Sequence, residues 1–135
     1  MKDITSHIRE LLFSHDCVIL PSFGGFIGNY RPAQIDRETN TFNPPVKAIS
    51  FNRNLTHNDG MLIGKISEVR KIGYAGSKLI VEDFTESIKK RLDKGERVAF
   101  ERIGYFQVNN EGNLEFEPDR DENFLLDSYG FTSFK

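Results

Sequence analysis

The chain has 135 residues, of which 38% are hydrophobic, and a formal net charge of −2 at pH 7. This length allows one ordinary domain or two small ones, and the composition is not that of a disordered chain. The single Cys17 excludes an intrachain disulfide and a cysteine zinc site, and no apolar run approaches the roughly 18 residues of a membrane helix.

The charge is unevenly distributed along the chain. Residues 1–110 hold 16 Lys and Arg against 13 Asp and Glu, whereas residues 111–135 hold two basic residues against seven acids. A dedicated nucleic-acid-binding domain is usually more basic, so any anion must bind through a local patch. The N-terminal residues have no signal-peptide hydrophobic region, and we expect a cytoplasmic protein.

The first segment predicts a short amphipathic helix followed by a buried strand. Asp3 is a plausible N-cap, the helix should end near Ser14–Asp16, and His7 is expected near its polar face. Cys17 heads the strand as a structural thiol, and Val18–Leu20 form its apolar run. The residues of the buried helical face are Ile4, Ile8, Leu11 and Leu12.

A glycine turn follows this strand and recurs later in the chain. Pro21 ends the strand, and Gly24 and Gly25 allow a tight turn with φ > 0. The same pattern returns 80 positions later, where Gly104 corresponds to Gly24. Such a repeat predicts two copies of one small α+β unit.

Residues 28–50 predict a long, partly exposed hairpin that we call the arm. The segment is polar, contains Pro32, Pro44 and Pro45, and has a turn-like run at residues 36–40. Ile49 and Phe51 should then return the chain to the core as a third strand.

The middle of the chain predicts a second helix. Thr56-His57-Asn58-Asp59 resembles a capping box with Asp in place of Glu, and places His57 in a helix cap. Leu62, Ile66 and Val69 are expected to face inward, with Gly64 at a close packing contact. Gly73 is expected to end the helix.

A third helix is predicted from near Ser77 to Gly95, and three strands and a short helix after it. The buried stripe of the third helix is Ile80 or Val81, Phe84, Ile88 and Leu92. The strands are Arg97–Glu101, Tyr105–Val108 and Asn113–Glu117, with a hairpin turn at Asn109–Gly112, and the short helix is Asn123–Asp127. Tyr129, Phe131 and Phe134 are expected to dock on the fold or on a partner.

This order of elements over residues 57–127 resembles the histone-like HU/IHF family of bacterial nucleoid proteins. The resemblance is carried by Leu62-Ile63-Gly64-Lys65-Ile66, by residues 88–98, and by Ile103-Gly104-Tyr105-Phe106. The last piece is similar to the family's Gly-Phe-Gly-Thr-Phe turn. Residues 4–55 resemble the same unit without its first helix.

Nearly the whole chain resembles a narrower group of proteins. Residues 17–21, 51–60 and 129–134 are similar to tandem HU-like domains of Bacteroidetes, the coiled-coil-domain-81-like prokaryotic HU family. The resemblance implies a longer parent protein with a downstream membrane helix and a peptidoglycan-binding SPOR domain, at the cytoplasmic face of the inner membrane.

The fold class expected from these residues and this resemblance is α+β. Two HU/IHF-like units, each with helices and a three-stranded antiparallel sheet, should pack as an intrachain pseudo-dimer. Residues 1–56 form unit 1 with the long arm, and residues 57–135 form unit 2 with a short hairpin and an acidic, aromatic tail.

The arm is the only stretch with a plausible ligand chemistry, because β-ribbon arms of HU-like proteins follow the DNA minor groove. The HU motif Arg-Asn-Pro is absent, and Pro44-Pro45 is the nearest substitute for its wedge. Phosphate contacts from four cations would give a log–log salt slope of roughly −4. The candidate DNA-binding residues are Tyr30, Arg31, Arg37, Pro44, Pro45, Lys47 and Arg53.

Two functions remain open at this point. One is weak, sequence-independent binding of double-stranded DNA that links the nucleoid to the cell envelope. The other is a protein-interaction or self-association module that has lost DNA binding, which the acidic tail and the missing wedge favour. Asp36 and Glu38 offset the arm cations, and the basic cluster at 89–94 is interpreted as a solvated helix face.

No enzyme chemistry is indicated. Gly24-Gly25 lacks the Lys-Ser/Thr and the following helix of a phosphate-binding loop, so both glycines and Gly104 are interpreted as structural turns. His7, His15 and His57 share no metal-ligand spacing with acids. We expect no catalytic residues, cofactor, metal or small-molecule substrate.

Overall fold

A computed structural model describes residues 3–125 as an α+β protein with antiparallel sheets. The helices are α1 (Ile4–Ser14), α2 (Met61–Arg70) and α3 (Tyr74–Asp93). The strands are β1 (Cys17–Leu20), β2 (Gly24–Arg31), β3 (Gln34–Asp36), β4 (Thr41–Asn43), β5 (Val46–Asn52), β6 (Val98–Phe100), β7 (Gly104–Val108) and β8 (Leu114–Pro118). The tail aromatics Tyr129, Phe131 and Phe134 lie outside the described residues.

Each unit contributes one three-stranded sheet. The strand orders are β1-β2-β5 in unit 1 and β6-β7-β8 in unit 2, and β3 and β4 form a separate two-stranded ribbon. Pairing between β1 and β2 places Leu20 opposite Gly24, and pairing between β6 and β7 places Phe100 opposite Gly104. The predicted repeat is confirmed by this shared register.

The two repeated turns also share their backbone geometry. The Phe23 N–H donates to the Leu20 carbonyl at 3.0 Å, and the Ile103 N–H donates to the Phe100 carbonyl at 2.9 Å. The left-handed residues are Ser22 (φ 68°) and Arg102 (φ 64°). The prediction of positive φ is wrong at Gly24 and Gly25, because Ser22 makes the left-handed bend before them, whereas Gly104 has φ 158°.

Glycine is required at these positions by close approach. A Cβ on Gly24 would overlap the Phe51 ring, and a Cβ on Gly104 would overlap the Glu117 carbonyl oxygen. A Cβ on Gly25 would lie 2.9 Å from the Leu55 side chain. Neighbouring strands and rings thus pack directly on the glycine backbone.

A phenylalanine cluster joins the two sheets into one hydrophobic core. Phe51 of unit 1 lies 4.7 Å from Phe106 of unit 2 between ring centroids, and Phe26 lies 5.6 Å from Phe100. Phe23 meets Phe106 at 5.1 Å. The core therefore forms between the units, as the predicted intrachain pseudo-dimer requires.

The first helix follows its sequence pattern except at His7. Asp3 is the N-cap, and its side chain accepts a hydrogen bond from the Ser6 N–H. The helix ends at Ser14 as expected. His7 is buried rather than polar-facing, because it lies three residues after Ile4 and four before Leu11 on the same helical face.

The second helix begins later than predicted. Its N-cap is Gly60, not Thr56. Asn58 Oδ1 accepts from the Gly60 N–H at 2.8 Å, and Asp59 Oδ1 accepts from the Met61 N–H at 3.0 Å. These local turns compete with helix formation, so His57 lies in an exposed loop before the helix.

The inward face of α2 also differs from the prediction. Val69 is 49% exposed, and Ile63 is buried with Leu62 and Ile66. The expected close contact at Gly64 is wrong, because nothing lies within 4 Å of a Cβ built there. With Val69 exposed, the buried hydrophobic residues of α2 are confined to its first two turns.

The connection between α2 and α3 is tighter than expected. The helix α2 ends at Arg70 because Lys71 adopts a left-handed conformation with φ 56°. Gly73 is the N-cap of α3, and its carbonyl accepts the Ser77 N–H at 3.1 Å. The helix α3 therefore starts at Tyr74, one turn before the predicted Ser77.

The remaining predicted elements agree with the structure in most places. The helix α3 ends at Asp93 before left-handed Gly95 (φ 83°), and Val81, Ile88 and Leu92 are buried. The hairpin turn at residues 109–112 is present. No helix forms over residues 123–125, because Asn123 and Phe124 bond to Lys47 of β5, and residues 126 and 127 of the predicted helix lie outside the described residues.

Candidate nucleic-acid interface

The arm continues the unit 1 sheet away from the core. Pairing of β2 with β5 runs out to Arg31 opposite Val46, and the ribbon resumes with Gln34 opposite Asn43. The register is preserved across the gap. The ladder is interrupted where Pro32, Pro44 and Pro45 fall, because proline has no N–H to donate. The arm therefore consists of a sheet base and a distal ribbon joined by prolines.

The tip of the ribbon carries an exposed apolar pair. Ile35 lies directly opposite Phe42, and their exposed fractions are 70% and 61%. The neighbouring pairs, Gln34–Asn43 and Asp36–Thr41, are polar. Neither residue was among the predicted site residues. An isolated Ile and an isolated Phe, equally far in sequence from the centre of a polar turn, would have indicated a cross-strand apolar pair.

The charges of the exposed arm cancel. Every residue from 29 to 45 is exposed, and among them Arg31 and Arg37 are offset by Asp36 and Glu38. Arg37 lies in the turn at the tip, and Arg31 lies at the end of β2. A polyanion would thus meet two cations on the arm without a net positive field.

Lys47 is buried, so the expectation that it is a cation of the DNA-binding arm surface is wrong. Its side chain is 1% exposed. The ammonium donates to the Leu12 carbonyl at 2.6 Å and the His15 carbonyl at 2.9 Å, and lies 3.2 Å from Asp16 Oδ1. It therefore satisfies the carbonyls at the end of α1, which a helix leaves without internal partners.

The surroundings of Lys47 explain two neighbouring residues. Gly28 lies beside its side chain, and a Cβ there would overlap Lys47 Cε. The exposed ring of Tyr30 has its centroid 5.6 Å from Lys47 Nζ. The candidate residue Tyr30 therefore lies at the arm base, beside the buried lysine.

The other candidate residues do not form one patch. Pro44 and Pro45 are exposed between β4 and β5. Arg53 is exposed just beyond the opposite end of β5, about 20 Å from the arm base at the usual rise per strand residue. The structure thus groups Tyr30, Arg31, Pro44 and Pro45 near the base and places Arg37 at the tip.

The hairpin of unit 2 has the opposite character. It joins β7 and β8 through residues 109–112 and has no extension comparable to the arm. Glu111 and Glu115 are exposed on it, and the Asn109 amide donates to Glu115 Oε2 at 3.1 Å. The repeated fold therefore presents one neutral arm and one acidic hairpin.

Three features of the described residues concern metal ligands, membrane spans and the thiol. Within residues 3–125 no three His, Cys, Asp or Glu side chains are grouped as metal ligands, and no helix there is long and apolar enough to cross a bilayer. Burial raises the pKa of the Cys17 thiol, and the Asp59 carboxylate raises it further. A raised thiol pKa disfavours the nucleophilic thiolate.

Two family models match the chain in tandem. The first, CCDC81-like prokaryotic HU domain 1, matches residues 1–59. The second, CCDC81-like prokaryotic HU domain 2, matches residues 60–129. No curated protein and no solved structure matches the chain significantly.

The family matches agree with the geometry described above. They cover both repeated turns, the arm and the acidic hairpin, and HU-like families are binding modules for nucleic acid or protein. The predicted unit boundary between residues 56 and 57 stays a prediction. The chain belongs to the CCDC81-like prokaryotic HU family, with a domain 1 followed by a domain 2.

Proposed function

We propose that this protein is a non-enzymatic module that binds duplex DNA weakly and without sequence preference through the arm. The observation that carries the proposal is the exposed Ile35–Phe42 pair at the tip of a two-stranded ribbon. Proteins that bend DNA through the minor groove insert apolar side chains of this kind between base steps. In this proposal the pair takes the place of the wedge that the HU motif Arg-Asn-Pro supplies and that this sequence lacks.

The cations of the arm support a modest electrostatic contribution. Arg31 and Arg37 are exposed on the arm, whereas the Lys47 ammonium is held at the end of α1. Each phosphate contact contributes about 0.9 to the salt slope, so two contacts give a log–log slope of roughly −2. Binding should therefore be weak at low salt and should depend less on salt than four cations would require.

The test is a titration of a fluorescent duplex with the protein, starting at about 20 mM salt, where the screening length is roughly 20 Å. Replacing Ile35 and Phe42 with Ser should weaken binding and leave the salt slope unchanged. Replacing Arg31 and Arg37 with Ala should remove the slope and most of the binding. The matched control is Lys89→Ala with Lys90→Ala, two exposed cations on α3 that should not matter.

A protein-binding role is the second candidate, and the cancelled charge of the arm and the acidic hairpin of unit 2 favour it. If the wild-type protein fails to bind duplex DNA even at about 20 mM salt, the DNA proposal is wrong. The exposed apolar pair at the arm tip would then be a contact for a protein partner or a second copy of this chain.

The proposal places the protein in the cytoplasm, where DNA is accessible. In a longer parent protein of the kind implied by the resemblance, a downstream membrane helix and SPOR domain would hold this module at the inner membrane. Binding by the arm would then link the nucleoid to the cell envelope.

A further inference from the structure

A short segment of unit 2 is bonded to the base of the unit 1 arm. We call residues Glu122–Phe124 the strap. The Lys47 N–H donates to Asn123 Oδ1 at 2.9 Å, and the Phe124 N–H donates to the Lys47 carbonyl at 2.9 Å. Asn123 Nδ2 also donates to the Pro45 carbonyl at 3.3 Å. The strap thus occupies the edge of β5 that faces away from β2.

The strap is also fixed to the body of the protein. Glu122 Oε1 accepts from Arg9 Nη2 at 2.7 Å and lies 3.3 Å from Arg102 Nε. The Phe124 ring is buried, with its centroid 5.0 Å from that of Phe13. Both ends of the strap therefore contact α1, Glu122 also contacts the repeated turn of unit 2, and the middle of the strap contacts the arm base.

Lys47 is the residue at which these contacts meet. Its N–H and carbonyl bond to the strap, and its ammonium bonds to the end of α1. The ladder beyond this point is interrupted by prolines. The contacts of the strap with Lys47 and Pro45 therefore hold β5 on its outer side, next to the prolines at the base of the arm.

We infer that the strap is a positioning element, with Asn123 as its positioning residue, and that unit 2 sets the direction in which the unit 1 arm projects. A two-stranded ribbon alone is only marginally stable. Hydrogen bonds between its base and a neighbouring segment should therefore restrict changes in its direction relative to the core. The effect of this restriction on ligand binding rests on the proposed function, whereas the restriction itself does not.

The inference is tested by measuring arm direction directly. Spin labels at Glu38→Cys on the arm tip and Glu86→Cys on α3 report their separation, in a Cys17→Ser background; both labelled positions are exposed. Asn123→Ala should broaden the distribution of label distances relative to the parent. The matched control is Asn110→Ala in the exposed hairpin turn, which should leave the distribution unchanged.

Amide hydrogen exchange gives a second readout on the unlabelled protein. Losing one hydrogen bond at the arm base should accelerate exchange of residues 48–50 roughly fivefold, while α3 keeps its wild-type rates. Unchanged distances and exchange in Asn123→Ala would overturn the inference. Equal acceleration in α3 would also overturn it, since Asn123 would then act only on global stability.

Asn123→Asp keeps the acceptor oxygen for the Lys47 N–H and loses the donor to Pro45. It should fold and broaden the distances less than Ala does, so it replaces Asn123→Ala if that variant fails to fold. Wild-type arm distances in Asn123→Asp would then refute the strap's role. DNA titration of the same variants distinguishes the strap's role from the proposed DNA binding. If the wild-type protein does not bind DNA, the proposed function fails, but the label distances still test the strap.

Discussion

At the residue scale, Gly24 and Gly104 have no room for a Cβ, because a neighbouring group already occupies that position. Gly24→Ala and Gly104→Ala should each lower the free energy of unfolding by about 1–3 kcal/mol, the usual cost of overpacking. The larger loss is expected at Gly104, because the obstacle is the Glu117 backbone carbonyl rather than a ring that can tilt. Urea denaturation measures both.

A third glycine is the matched control for these two. Gly64 lies inside α2 with open space around its Cβ position. Gly64→Ala should therefore raise the free energy of unfolding by up to about 1 kcal/mol through helix propensity. Equal effects at all three positions would show that close approach is not the reason for Gly24 and Gly104.

Lys47 should matter for stability rather than as a phosphate contact. Lys47→Met keeps the aliphatic stem but leaves the Leu12 and His15 carbonyls without their donor, at a cost of about 1–3 kcal/mol. Thermal denaturation should show a lower melting temperature than for Lys89→Met on exposed α3. A variant as stable as the wild type, with a shallower salt slope for DNA, would contradict this role.

The Cys17 thiol should ionise at a higher pH than a free cysteine. Because burial and Asp59 raise its pKa in the folded protein, the thiol should react with iodoacetamide more slowly than a free cysteine, and its rate should keep rising at higher pH than that of a free cysteine. The unfolded chain ionises first, so stability from this group is complete below the unfolded pKa and is lost as pH rises through the folded pKa. Asp59→Asn should shift the rate profile to lower pH.

Some side-chain roles depend on residues close in sequence and can be predicted, whereas others depend on the tertiary fold. The Asp3 cap was predictable because it acts on a residue three positions away. The role of Lys47 depends on carbonyls 32 and 35 positions away in sequence. A lysine in a polar segment therefore looks exposed until the end of α1 is placed beside it.

At the element scale, the arm is separable from the core. Residues 30–45 are all exposed and contribute nothing to the hydrophobic core. Replacing residues 33–44 with Asn-Gly should therefore keep the melting temperature close to that of the wild type. The same variant should no longer bind duplex DNA.

The control for arm removal is the same protein with Ile35 and Phe42 changed to Ser, which keeps the arm length. A large loss of stability on arm removal would mean that the arm supports the fold. Retained DNA binding would instead move the binding surface to the body of the protein.

Element prediction succeeded where hydrophobic periodicity and turn residues agreed. The core strands and the end of α3 at Asp93, just before Gly95, follow from apolar runs and glycine. It failed at the start of α2, where Asn58 and Asp59 bond to the backbone two residues ahead. A helix cap at Thr56 and local turns at Asn58 and Asp59 both use short polar residues, so the sequence does not distinguish them. The turns agree with the tertiary contact in which the Thr56 carbonyl accepts from the Ser22 N–H.

At the scale of the whole molecule, neither unit should fold by itself. The rings that fill the core come from both units, with Phe26 and Phe51 packing on Phe100 and Phe106. Fragments of residues 1–56 and 57–135, expressed separately, should each lack a cooperative thermal transition. Mixing them should restore one, visible by circular dichroism.

The outcome that would contradict this expectation is a monomeric 57–135 fragment with the stability of the full chain. A small unit buries too little surface to be stable without its partner. The predicted pseudo-dimer was accessible from the sequence because the repeat is visible in the glycine turns. The strap was not, since nothing in Glu122–Phe124 indicates that these residues bond to β5.

The contact between Phe13 and Phe124 has a consequence for synthesis on the ribosome. The first helix emerges early, yet the ring that covers Phe13 is translated more than a hundred positions later. At about 5–20 residues per second, completing the chain from the end of unit 1 to the strap takes several seconds. During that interval the apolar face of unit 1 is uncovered, so the nascent chain should be a substrate for ribosome-associated chaperones.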